Sequence, residues 1–400
     1  MGKARSDTYD KIKELIPQFL AAGKIKTKNE YRYYKVEKDK TMEGDYHAIY
    51  LLTAKEEEAE YLPRLKVIDT SPQEEVKAVC PHVAVEHETG EHYLFYGKDK
   101  GGIYALHLNP RNGLAHIEGY GICVARRPKW LGEAISQPYV VYNEKTQYYY
   151  LFVTYGDPNS DANIRVGRSK KITGPYLDPM NRSLRDIDDF KAAHGFMISA
   201  GYRYDDTAGI KAPSSPMVYQ NENGQWFFLQ EITPYQSSKN ELLDNQESRV
   251  LDLRELFWTS DGWPVLSPVT YQKVDKDEIS PKDLMGNYEF IKLTPMLPQG
   301  VFNSVTLSIL DHSMQGVSST RNSWAWKIPQ TAQGRLELGG SIRGYWRLLD
   351  MDVIEFNYEN YIETYQISMA WDPDLDQRLI ILTGKDSNGL ACFAKKVYQS

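Results

Sequence analysis

Between Ser136 and Asp178 the chain alternates apolar or aromatic positions with polar ones in three short runs, Ser136–Tyr142, Tyr148–Tyr155 and Asn163–Ser169, followed by Thr173-Gly174-Pro175-Tyr176. Period-two alternation broken by turn residues predicts consecutive antiparallel strands. The same grammar stands on either side. Upstream come Pro81–Val85, the turn Glu88-Thr89-Gly90, Tyr93–Gly97 and Gly101–Leu106; downstream come Ala212–Tyr219, the turn Glu222-Asn223-Gly224, Trp226–Leu229 and Arg254–Trp258. Each unit opens on a proline-marked strand and continues as an aromatic one. Units of about four strands recurring every ~40–50 residues are the pattern of a β-propeller. Tyr31–Val36, Tyr46–Leu52 and Leu65–Ile68 supply strands for one further blade.

The two ends of the chain read differently. Ile12, Leu15, Ile16, Phe19 and Leu20 fall at helical spacing before Gly23. They predict an amphipathic helix capped by Asp7 or Thr8 and kinked at Pro17, packed on the propeller rim or serving as a docking arm. Past Pro268 the register changes to strict alternation in Val305–Ile309, Leu336–Leu338, Gly344–Arg347, Tyr361–Tyr365, Leu379–Leu382 and Cys392–Lys396, which predicts an antiparallel barrel. The expected architecture is all-β, with an N-terminal helical segment over 1–29, a β-propeller over 30–275 and a C-terminal β-barrel domain over 280–400. A linker is expected near 269–282, and Phe196–Asp206 is expected to be an insertion at a blade junction.

Composition narrows the function. The 29 Tyr and 8 Trp of this 400-residue chain suit strands and flat, sugar-stacking clefts. A net charge of -7 with no basic cluster argues against nucleic acid as a partner. The cysteines Cys80, Cys123 and Cys392 stand in no metal-like or disulfide-like spacing. No apolar run reaches the ~20 residues that cross a bilayer, and Met1–Asp10 is too polar for a leader. The chain as written is expected to be cytoplasmic, or secreted or periplasmic if a signal peptide was trimmed.

Tyr148-Tyr149-Tyr150-Leu151-Phe152-Val153, then Asn163-Ile164-Arg165-Val166-Gly167-Arg168-Ser169, then Thr173-Gly174-Pro175-Tyr176 together resemble glycoside hydrolase family 43, most closely its endo-arabinanases. The resemblance runs over residues 78–268, and Asp283–Phe290 resembles the opening of the small barrel that follows many of those propellers. It implies a five-bladed-type propeller and inverting hydrolysis, in which a base carboxylate and an acid carboxyl flank the scissile bond ~6.5–9.5 Å apart. This chain departs from that pattern. It has no His-Asp-Pro segment, the family's source of the base, and is about one blade short at the N-terminal side, so the first blade is expected to be short or missing. Where the family has Asp-Pro at the start of the second blade, to tune the acid, it has Cys80-Pro81. Where the acid stands in Ile-Glu-Gly-Pro-Tyr it has Ile135-Ser136-Gln137-Pro138-Tyr139. A hydroxyl at Ser136 cannot act as a general acid, a loss of ~10²–10⁴ in rate.

Glu133, three residues upstream, is a weak substitute. Cys80 and His82 share a strand face, which permits a nucleophile reading beside the plainer one of a small buried residue. The family's Pro-Gly-His-Asn, whose histidine faces a central calcium or water cluster, becomes Pro213-Ser214-Ser215-Pro216, so Ser215 removes the protein ligand and no cofactor is expected. The resemblance assigns Arg254 to substrate contact and turns Tyr96, Tyr139, Tyr155 and Trp130 toward the funnel. Two readings follow. One is a non-catalytic member that binds arabinan-type oligosaccharide or supports a related subunit, with unpaired blade edges favouring homo- or hetero-oligomers. The other is an active hydrolase with carboxylates from Glu133, Asp99 or Asp157.

Overall fold

The computed structural model describes residues 24–398 apart from 39–45, 57–58, 61, 188–193, 206–208, 236–248, 276, 296–300, 316–330, 359–360 and 373–375. The helix expected over residues 8–22 lies outside the described residues. Four antiparallel sheets follow one another in chain order. The first comprises Ile25–Lys26, Tyr31–Lys38, His47–Ala54 and Leu62–Thr70; the second His82–Val85, His92–Tyr96, Ile103–Leu108 and Ile122–Ala125. The third comprises Ile135–Asn143, Tyr148–Tyr155, Asn163–Ser169 and Phe196–Ser199. The fourth is built on Gly209–Gln220, Trp226–Tyr235, Val250–Trp258 and Pro264–Leu266, with the short strands Tyr202–Arg203 and Phe302–Asn303 added at one edge. The stretch expected to be an insertion is therefore the outer strand of the third sheet and the edge of the fourth.

These sheets stack face to face, which explains why their middle strands are apolar on both sides. In Tyr148–Tyr155, Tyr150 and Phe152 point into a core shared with the fourth sheet, which also holds Val218, Trp226 and Phe228. Tyr149, Leu151, Val153 and Tyr155 point the other way, into a core shared with Phe95, Ile103 and Ala105 of the second sheet. A third core joins the second sheet to the first through Tyr34, Ile49, Leu51, Leu94 and Leu106. Among the described residues no core cluster joins the first sheet to the fourth.

A closed eight-stranded barrel follows, running from Gly286–Lys292 to Ala391–Lys396, with those two strands paired to each other. Tyr288, Leu307, Trp346, Phe356 and Tyr365 fill it. Gly384 lies where a Cβ would collide with the backbone carbonyl of Thr364, so close strand approach demands glycine there. The barrel is docked on the fourth sheet. Ile291, Leu293, Ala391 and Phe393 join the core between the third and fourth sheets, Thr383 Oγ1 donates to the Leu266 carbonyl at 2.7 Å, and Arg165 donates to that of Pro295 at 2.6 Å.

Candidate functional site

In three successive sheets the first strand, or the first long one, is preceded or interrupted in the same unusual way. Cys80, Gln137 and Ser215 each precede a proline and each has a left-handed backbone, with φ of 53°, 53° and 56°. A non-glycine residue in that region costs on the order of 1–3 kcal/mol and persists where its surroundings over-determine it. Here the three residues hold one another. Gln137 Nε2 donates to Ser215 Oγ at 2.7 Å, and its Oε1 accepts from the Ser215 amide at 3.0 Å. The same amide lies 3.2 Å from Thr154 Oγ1, and the Gln137 amide donates to the Cys80 sulfur. Arg249 braces the neighbouring backbone, donating to Ser214 Oγ at 2.5 Å and to the Ala212 carbonyl at 3.2 Å. Sequence reasoning had Cys80, Ser136 and Ser215 but missed Gln137, Thr154 and Arg249. The proline following each left-handed residue was the available signal.

The chemistry of this cluster is amide, hydroxyl and thiol. Burial raises the Cys80 thiol above its ordinary range, opposed by the hydrogen bond from Gln137 and by the Lys98 charge. His82 does not serve as its base. Its Nε2 faces the Val140 carbonyl at 3.0 Å, its ring lies 4.1 Å from that of Tyr139, and burial lowers its pKa to about 4. Ser136 is half-buried and pairs across the strands with Thr154. The carboxylates considered from sequence are engaged elsewhere. Asp99 pairs with Lys98 at 3.5 Å, and Asp157 caps its own exposed turn by accepting from the Asn159 amide at 2.9 Å. Glu133, at φ 58°, stands near enough to Lys100 to raise that lysine's pKa, after the larger effect of Glu75.

Four of the residues expected to contact sugar are engaged in internal packing. Tyr96 is fully buried and donates to the Tyr120 carbonyl at 2.8 Å. Tyr139 donates to the Val218 carbonyl at 3.0 Å. Tyr155, also buried, lies between the guanidinium groups of Arg127 and Arg165 at 5.7 and 5.4 Å, and desolvation pushes its pKa up to about 12. Arg254 is buried against Asp252 at 2.6 Å and donates to the Ser267 carbonyl at 3.0 Å, binding the fourth sheet together. The reason is common to all four. Strand positions that face a funnel in projection face a neighbouring sheet in a stack buried on both sides. Trp130, in the short turn of helix Lys129–Leu131, remains 38% exposed.

Successive four-stranded sheets packed face to face, followed by a closed eight-stranded barrel, define the class as an all-β protein of sheets and an appended barrel. The model of the glycosyl hydrolases family 43 matches residues 17–264, and the chain belongs to that family. It is 30% identical over 317 residues to an extracellular endo-alpha-(1->5)-L-arabinanase 2 of Bacillus subtilis, a match covering 73% of this chain and 65% of that protein. It is 31% identical over 229 residues to an extracellular endo-alpha-(1->5)-L-arabinanase of Thermotoga petrophila, covering 54% of this chain and 46% of that one. The chain thus spans under two thirds of both curated relatives. In fold it is similar to the solved endo-1,5-alpha-L-arabinanase of Thermotoga petrophila (TM-score 0.74, 20% identity, 97% of this chain and 88% of that chain). It is also similar to the family 43 YxiA protein of Bacillus licheniformis (TM-score 0.73, 18% identity, 92% and 81%). Among the described residues no helix is long and apolar enough to cross a membrane.

Proposed function

We propose that this chain is a non-catalytic arabinanase-like member of its family, binding arabinan-type oligosaccharide where the strand entries converge or supporting an active related subunit. One observation carries the reading: Cys80, Gln137 and Ser215 are tied to one another through amide, hydroxyl and thiol groups. None of these is the carboxylic acid that the family's inverting mechanism uses to protonate the leaving alkoxide. With Ser215 standing where the family has the histidine that faces its central calcium or water cluster, no calcium is expected here. In this reading the four sheets are blades of a five-bladed-type ring, and the unjoined faces of the first and fourth favour association with a second copy or a related chain. The relatives named as extracellular support the exported alternative and lend nothing to a cytoplasmic location.

The test is isothermal titration with linear arabino-oligosaccharides beside a reducing-sugar assay on arabinan. Binding without turnover is expected. Ordinary turnover that E133Q or D99N abolishes would establish the active alternative instead. Sedimentation velocity at micromolar concentration is expected to show a species larger than the monomer, and a strictly monomeric profile counts against the association.

A further inference from the structure

A second opening lies away from the converging strand entries. A cleft of about 1000 Å³ runs between the outer part of the fourth sheet, the turn at Asn143–Thr146 of the third sheet, and one wall of the barrel. That is at the upper end of the ~300–1,000 Å³ usual for small-molecule clefts. The sheet side contributes Trp226, Phe257 and Trp258, while the barrel side contributes Met351, Gln366 and Ser368. Trp258 packs edge-to-face on both Tyr150 and Trp226, with centroids 4.7 and 5.2 Å apart, so its position is fixed. Its indole Nε1 is withdrawn from solvent and has no hydrogen-bond partner among the described residues.

We propose that this cleft is a second binding site for a neutral oligosaccharide, separate from the converging strand entries. Indole rings beside amide and hydroxyl groups match the alternating apolar faces and hydroxyl edges of a sugar ring. The sign of the lining excludes an anionic glycan. Glu255, Asp277, Glu278 and Asp352 line it against the single cation Lys145, and of the acids Asp277 is neutralised by Arg378 at 2.6 Å. Because the walls come from two domains, an occupant bridges propeller and barrel. The proposal rests on the saccharide-binding reading only for the choice of probe.

The probe is linear arabinohexaose, titrated into the full chain and into S136W, which obstructs the strand entries. Binding is expected to persist in S136W, to weaken roughly three- to tenfold in W258F through reduced ring contact and in Q366A through a lost hydrogen bond, and to be absent for trigalacturonate. In the unsubstituted chain, Met351, 69% exposed at the cleft wall, is expected to be protected from peroxide oxidation by arabinohexaose, read by mass spectrometry. Unprotected Met351 with W258F and Q366A binding as the unsubstituted chain does overturns the cleft. If binding is then lost in S136W, the reading of the strand entries still stands; if nothing binds at all, both fall.

Discussion

The two groups that looked most reactive in the sequence are made inert by what surrounds them. His82 has a folded pKa of about 4 against an ordinary 6.5, because burial penalises the charged ring. A basic group with a depressed folded pKa contributes stability that is full above its unfolded pKa and is lost as pH falls toward the folded one. That window runs from about pH 6.5 to 4 and is worth roughly 3 kcal/mol. H82Q removes the titration while keeping a donor for the Val140 carbonyl. Thermal midpoints are expected to fall more steeply between pH 7 and 4.5 for the unsubstituted chain than for H82Q; parallel curves refute the assignment. The Cys80 thiol is raised by burial, which disfavours the thiolate. Site-resolved alkylation is expected to be severalfold slower in the folded chain than in urea at pH 8, and to accelerate only above the usual thiol range. Fast alkylation at neutral pH would revive the nucleophile reading.

Strands show where alternation speaks clearly and where it misleads. Tyr148–Tyr155 and Asn163–Ser169 were legible because β-branched and aromatic residues between turn signals leave few alternatives. What alternation could not say is which side of a strand meets solvent, since the stack buries both. The family resemblance assigned Tyr96, Tyr155 and Arg254 to a cleft, whereas all three are buried in packing. In the barrel the same closeness makes Gly384 indispensable. An added Cβ meets the Thr364 carbonyl, a backbone atom that cannot move without breaking the ladder. G384A is expected to cost about 3 kcal/mol or more, read from the denaturant midpoint at unchanged slope. A loss below ~1 kcal/mol would show that the strands can part there.

Across the whole molecule, part of the barrel shares a core with the third and fourth sheets. Phe393 of the barrel contacts the Tyr202 ring at 5.1 Å and belongs to the cluster that also holds Phe152 and Phe228. Removing so large a buried side chain costs about 3–5 kcal/mol. If the two domains unfold together, F393A lowers a single calorimetric transition. Two transitions, with only the later strands affected, would show that the barrel folds independently.

Turn residues, period-two alternation and the change of register past Pro268 determined the strand order and the presence of two β-rich units, because these signals are local and each strand must satisfy its own backbone. The motif run around Tyr148–Tyr176 pointed to the family whose model matches residues 17–264. Only the tertiary structure decided that Gln137 locks the converging entries together, that Arg254 braces the fourth sheet, and that a cleft opens between sheet and barrel. Each of those depends on atoms tens of residues apart in sequence meeting across stacked surfaces, a proximity that no local pattern encodes.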